Sequence, residues 1–160
     1  MAERFKMAIA KGHRFEIEFD VAFPHGLVLV GEVAPDTEYQ SKEDRASGRP
    51  VRQRIDETTG KRQWKGTVTD PGETNPKRAS FPITLLADVQ PVPTTAEALP
   101  GMRPIELEGV TAEPKVMGQG EYKYQGFAFR ATGFKAAKSP AATGKSARSE
   151  STNDTATKAA

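Results

Sequence analysis

The sequence predicts an all-β domain of six to seven strands, folded as a small barrel or sandwich and followed by a disordered tail. Three observations support this. From residue 13 onward, apolar and polar residues alternate with a period of two, as in strands with one wet face. Clusters of Gly, Pro, Asn and Asp punctuate the alternating runs. No helix longer than about two turns is evident, apart from a candidate over residues 2–11. A length of 160 residues suits one domain and a tail, here an extension over 1–12, a domain over 13–135 and a tail over 136–160. At that size, a sheet buries its apolar face by closing on itself or by packing on a second sheet.

Taken in order, "RFEIEFDVAF" sets Phe15, Ile17, Phe19, Val21 and Phe23 on one face of a first strand, with Arg14, Glu16, Glu18 and Asp20 on the other. "PHG" at 24–26 is a turn signal. The unbroken run Leu27 to Val30 reads as a buried strand, with Gly31 as a bulge or bend. Residues 40–50 read as a mobile polar loop. "VRQRI" and "RQWKGTV" flank "DETTGK" as a β-hairpin, whose apolar set is Val51, Ile55, Trp64 and Val68. "ASFPITLLADVQ" alternates through Phe81, Ile83, Leu85, Ala87 and Val89; Pro82 lacks an N–H and puts the strand on an edge or at a bulge. "TAEAL" within the proline-rich 91–104 fits one helical turn. "IELEGVTAEPKV" and "EYKYQGFAFRATGF" are the last two strands, the latter with Phe127, Phe129 and Ala131 toward the core. The tail over 136–160 has no aromatic and no branched aliphatic residue, so it cannot offset an ordering entropy of roughly 1–2 kcal/mol per residue.

Charge is unevenly placed. Residues 1–41 hold 4 basic and 7 acidic side chains, 42–78 hold 10 and 6, 79–134 hold 4 and 6, and 135–160 hold 5 and 2. The central excess falls on the hairpin and its flanks, the kind of asymmetry that favours a polyanion. With no cysteine, disulfides, thiolate catalysis and cysteine-ligated zinc are excluded. The N-terminal "MAERFKMAIAKGHRF" lacks the apolar run of a signal peptide, and no stretch nears the roughly 18 apolar residues of a membrane span. A soluble, cytoplasmic protein without membrane association is the expectation.

Little suggests catalysis. His13 and His25 have no partner at metal-ligand spacing, and "TTGK" at 58–61 lacks the spacing and the following helix of a phosphate-binding loop. Glu16/Glu18 and Glu106/Glu108 read as wet strand faces. No catalytic residue, metal or cofactor is expected. The polar parity of the hairpin instead presents Arg52, Arg54 and Lys65, with Lys61 at the tip, and the flanking loops add Lys42, Arg45, Arg49, Lys77 and Arg78. A solvated face kept charged for solubility is the competing reading. On the last strand, Tyr122, Tyr124 and Arg130 share the parity opposite the core set, with Lys123 between the tyrosines, and Tyr39 adjoins the basic loop. Exposed tyrosines beside cations are how single-strand binders stack bases. By parity Trp64 belongs to the core.

"FPHGLVLVGEV", "DETTGKRQWKGTVTD", "ITLLADVQPVP", "LPGMRPIELEGVTAEP" and "YKYQGFAFRATGF", in that order, resemble the plasmid replication, integration and excision activators of actinobacterial mobile elements, over roughly residues 20–134. The layout is more distantly similar to helicase-processivity proteins of Gram-positive conjugative elements and to phage single-strand DNA-binding proteins. The resemblance implies an OB-like barrel and a part in replication and excision. Gly66 stands where a branched apolar residue is expected of that family, which implies a weaker barrel wall. The expected function is non-enzymatic DNA binding, single strands favoured, with DNA held by Arg45, Arg49, Arg52, Arg54, Lys61, Lys65, Lys77, Arg78, Tyr39, Tyr122, Lys123, Tyr124 and Arg130. The alternatives are an activator reading duplex DNA and an adaptor recruiting a replication initiator or helicase through the edge strand bearing Pro82. A homo-oligomer is compatible with each.

Overall fold

The structure is a computed structural model that describes residues 8–136. Residues 8–11 are not helical, and the rest of the candidate helix over 2–11 lies outside the described residues, as does the predicted tail beyond Ala136. The described chain is mostly β. In order come β1 (Phe15–Glu16), α1 (Phe19–Ala22), β2 (Leu27–Pro35), α2 (Lys42–Ala46), β3 (Gln63–Thr69), β4 (Ser80–Leu86), β5 (Met102–Ile105), β6 (Leu107–Glu108), β7 (Thr111–Met117), β8 (Tyr124–Ala131) and β9 (Gly133–Phe134). One seven-stranded sheet has the order β1-β7-β8-β4-β3-β2-β5, and β6 pairs with β9 in a second, two-stranded sheet. Every pairing is antiparallel except β4 with β8, which is parallel. The edge strands β1 and β5 do not bond to each other, so the large sheet is open.

The sheet exists because β2, β3 and β4 alternate cleanly. Trp64, Gly66 and Val68 of β3 face inward, as do Ile83 and Leu85 of β4 and Leu27, Leu29 and Val33 of β2. With Ile105, Leu107, Val110, Ala131, Phe19 and Phe23, these form one core. Trp64 is core as its parity requires, and its indole N–H donates to the Ala87 carbonyl at 2.9 Å, so burial leaves no polar group unsatisfied. The run Leu27–Val30 is not buried throughout: Leu27 and Leu29 are, but Val30 is 39% exposed, because the second face of the sheet has no covering layer there. Gly31 does mark a bulge, at φ +76°, where the register with β3 shifts between Val30 and Ala34.

Several expectations are corrected. The first predicted strand shortens to Phe15–Glu16 and then turns into helix α1. Phe19 and Phe23 are four apart, a spacing that a strand and a helical turn both place on one side. They are buried with ring centroids 5.5 Å apart, while Val21 is 71% exposed. Phe23 also meets Phe129 edge-on at 4.8 Å, which ties the helix to β8. Residues 40–50 hold helix α2, not only loop. Its cap, Ser41 Oγ, accepts the Asp44 N–H at 3.0 Å, an S-x-x-D signal passed over in the sequence. The first arm of the hairpin is not a strand. Only isolated bridges, Thr37 with Gln53 and Ile55 with Arg62, pair it, and Val51 and Ile55 are exposed. "TAEAL" is not helical, and "IELEGVTAEPKV" is divided among β5, β6 and β7. Phe127 is 46% exposed, because β7 and β8 run on past the core. Pro82 sits in a central strand, not on an edge; the β4–β8 ladder spans only Thr84 and Leu85, so at Pro82 only the β3 side is paired.

Gly66 does not thin the wall. A Cβ there would lie 3.1 Å from Leu29 Cδ1 and 3.5 Å from Val33 Cγ2, both on buried side chains, so the neighbours already fill the space. Gly66→Val is therefore expected to destabilise the protein by about 1–3 kcal/mol through overpacking. Urea denaturation checks this; unchanged or increased stability would show that the wall has room.

Candidate functional site

Register defines the face turned away from the core. Lys65 and Thr67 of β3 oppose Thr84 and Pro82 of β4, and Thr84 opposes Arg130 of β8. Alternation along β8 adds Ala128, Gly126 and Tyr124 to the same face. In the middle of this face β3, β4 and β8 carry short side chains, but the adjoining β7 adds Glu113, Lys115 and Met117, opposite Ala128, Gly126 and Tyr124, and Met117 lies against Gly126. The cations and tyrosines stand at its ends. From Tyr124 to Arg130 the strand runs about 20 Å, at roughly 3.3 Å per residue.

At one end the segment between β2 and β3, residues 36–62, is held against the start of β3 by its own backbone. The Asp36 N–H donates to the Gln63 carbonyl at 3.0 Å, the Arg54 N–H to Asp36 at 2.8 Å, and the Glu38 N–H to Arg52 at 2.9 Å. Tyr39 emerges from this weave 84% exposed. It lies between two clefts. One, of about 400 Å³, is lined by Arg49 and Arg52 with Glu38 and Asp44. The other, of about 480 Å³, is lined by Arg45, Arg54 and Lys65 with Asp36. Five of the cations singled out in the sequence thus surround one of its three tyrosines.

They are not equivalent. Arg49 pairs with Asp44 at 3.3 Å, and the Arg54 Nε–H donates to the Thr37 carbonyl at 3.3 Å with Asp36 Oδ1 at 3.9 Å. Arg130 donates to Asp56 Oδ1 at 3.1 Å, with both side chains largely buried, and so braces the 56–61 turn against β8. All three are engaged, Arg130 in a shielded pair and the other two nearer the surface. Among the described residues, no ion pair engages Arg45, Arg52, Lys61, Lys65, Lys77 or Lys123, and all six are exposed.

At the other end are the 70–79 loop and the turn between β7 and β8. Arg78 lies over the Tyr124 ring, Cζ 3.7 Å from its centroid. Tyr124 is half-buried, while Tyr122 is 85% exposed on the turn beside Lys123. The structure therefore divides the predicted residues into two clusters at opposite ends of one face, where the sequence could only align them by parity.

Asp56 is the site residue that the sequence reading missed, although the signal was there. Aspartate three residues before threonine is the spacing of a side chain that bonds the backbone ahead of it. Asp56 Oδ2 accepts from Thr59 Oγ1 at 2.8 Å and from the Thr59 N–H at 3.0 Å. The Thr59 hydroxyl, against the opposing effect of burial and with help from the Thr59 N–H and the Arg130 charge, holds the Asp56 carboxyl below the usual carboxylate range. The described residues contain no cluster of His, Asp and Glu able to hold a metal. No described helix is long and apolar enough to cross a membrane. No family model, no curated protein and no solved structure matches the chain.

A carboxyl whose pKa falls on folding stabilises the protein above its unfolded pKa and loses that contribution as pH drops through the folded value. Asp56→Asn should thus lower stability at pH 7, and the gap from the unaltered protein should shrink below about pH 3.8, the ordinary value for the group. Denaturation midpoints at pH 7 and pH 3 check this; a gap that does not change with pH would mean that charge plays no part.

Proposed function

We propose that the protein is a non-enzymatic accessory that binds single-stranded DNA across the outer face of β3, β4 and β8. One observation carries this: both sets of cations beside tyrosines, found independently in the sequence, flank the same face. The strand order supports an OB-like reading. Taking β2, β3, β4, β7 and β8 as five strands, the antiparallel meander, the parallel joint and the final antiparallel pair follow the order of that barrel. In that reading β5 lies where the barrel would close. Oligonucleotides bind OB-folds on the face of their second and third strands and on the loops joining strands one to two and four to five. Those loops correspond here to 36–62, which carries Tyr39, Arg45, Arg52 and Lys61, and to 118–123, which carries Tyr122 and Lys123. Phosphates would meet Arg45, Arg52, Lys61, Lys65 and Lys77, which are exposed and have no ion pair among the described residues. Bases would stack on Tyr39 and Tyr122.

A part in the replication and excision of a plasmid or integrative element follows from the resemblance noted above and belongs to the same proposal, as does a cytoplasmic location. Duplex reading is less well supported: α1 and α2 have 4 and 5 residues, too short for a recognition helix in the major groove. Recruitment of an initiator or helicase through β4 is disfavoured by its central place; β1 and β5 are the edges.

Fluorescence anisotropy with single- and double-stranded DNA of matched length, at two salt concentrations, tests the proposal. Single strands should bind more tightly, with affinity falling by a log–log slope of about −0.7 per phosphate neutralised. Replacing Arg45, Arg52 and Lys65 together by alanine should flatten that slope by roughly two. Equal or tighter duplex binding would refute the single-strand reading.

A further inference from the structure

We infer that the Arg78–Tyr124 pair is a base-stacking subsite in which the guanidinium, not the tyrosine ring, is the surface that meets the base, and that this subsite discriminates single strands from duplex. The inference rests on the single-strand reading above. The sequence sets Tyr124 among the stacking candidates by parity and Arg78 among the cations of a flanking loop. The geometry reverses those roles. Tyr124 is half-buried and already has the Arg78 guanidinium over its ring at 3.7 Å. Arg78 is exposed, and no carboxylate pairs with it among the described residues. Its backbone is fixed by a turn, the Arg78 N–H donating to the Asn75 carbonyl at 2.9 Å.

An arginine held in this way is a flat cation backed by an aromatic ring. Its free face can stack on a planar π-system, and its N–H edge remains open to an anion. A nucleotide from an unpaired strand offers both, base to the plane and phosphate to the edge; guanidinium planes are known stacking partners of splayed bases. A duplex keeps its bases stacked on each other and offers only the phosphate. Lysine has the same charge and no plane, so Arg78→Lys separates the two contributions. Tyr124 acts as a positioning residue, through Arg78.

The test is anisotropy with labelled oligo(dT), with a matched abasic strand and with a duplex. Arg78→Lys should weaken oligo(dT) binding by about tenfold, within the range for loss of one stacked base. It should leave the salt slope, abasic binding and duplex binding unchanged. Tyr124→Leu should reproduce the oligo(dT) loss although Arg78 is present. The exposed Arg78→Lys change needs no refolding of the core, so it decides the matter if Tyr124→Leu proves unstable. If Arg78→Lys binds oligo(dT) like the unaltered protein, or loses equally on all three probes, the guanidinium is a point charge and the inference is overturned. If the unaltered protein fails to bind oligo(dT) at all, the functional reading falls and the inference with it.

Discussion

Trp64 is buried under β2 and β4, and its one polar atom is satisfied by the carbonyl of Ala87. That combination fixes the register of β3. Sliding β3 by one residue would expose the indole, leave its N–H without the Ala87 acceptor, and drive Lys65 and Thr67 into the core. An orphaned buried donor alone costs about 1–3 kcal/mol, and an unpaired ammonium costs more. Because β3 lies between β2 and β4, the same choice sets which side chains of both neighbours face out. The parallel contact of Thr84 with Arg130 then passes it on to β8. The outer face is thus a consequence of where one indole can be buried.

That face also explains why the cations divide into two kinds. Arg130 sits where its side chain can reach Asp56, 74 residues away in sequence, and the pair is shielded from water. Arg54 lies against Asp36 and the Thr37 carbonyl beside the bridge between Thr37 and Gln53. These contacts hold an irregular segment of more than twenty residues without regular strand pairing. Arg45, Arg52 and Lys65 are left to face solvent around Tyr39. The braces make the segment definite enough to present the others.

How much of this was legible in the sequence varies with the kind of signal. β3 and β4 were readable because strict alternation around Trp64, Ile83 and Leu85 admits no helical alternative. Phe19 and Phe23 were not, since four residues apart is compatible with both periods and only the exposure of Val21 separates them. Val51 and Ile55 had core spacing but no neighbour to cover them, and spacing cannot report a missing partner. The basic character of 42–78 was plain. Which arginines are committed to carboxylates was not, because Asp36 and Asp56 meet Arg54 and Arg130 through tertiary structure. Tyr39, which in the sequence only adjoins the basic loop, gains weight from the five cations around it, and Arg130 loses it to Asp56.

The same division bears on how a polyanion would be held. A cation already paired at 3.1 Å with a shielded carboxylate gives up that partner before it can neutralise a phosphate, so Arg130 contributes little to counterion release. An exposed, unpaired lysine or arginine has no such penalty. Counting all ten predicted cations would therefore overstate the salt dependence, and the effective number is set by those without partners. Those stand at both ends of a surface about 20 Å long. Binding by such a surface requires a strand that can follow it, with charge gripped at the ends and bases turned toward the aromatic groups there. A flexible single strand meets that requirement without deformation, whereas a duplex persists as a stiff rod over far longer distances. In the proposed reading, the stiffness of the ligand, as much as its charge, is what the arrangement would distinguish.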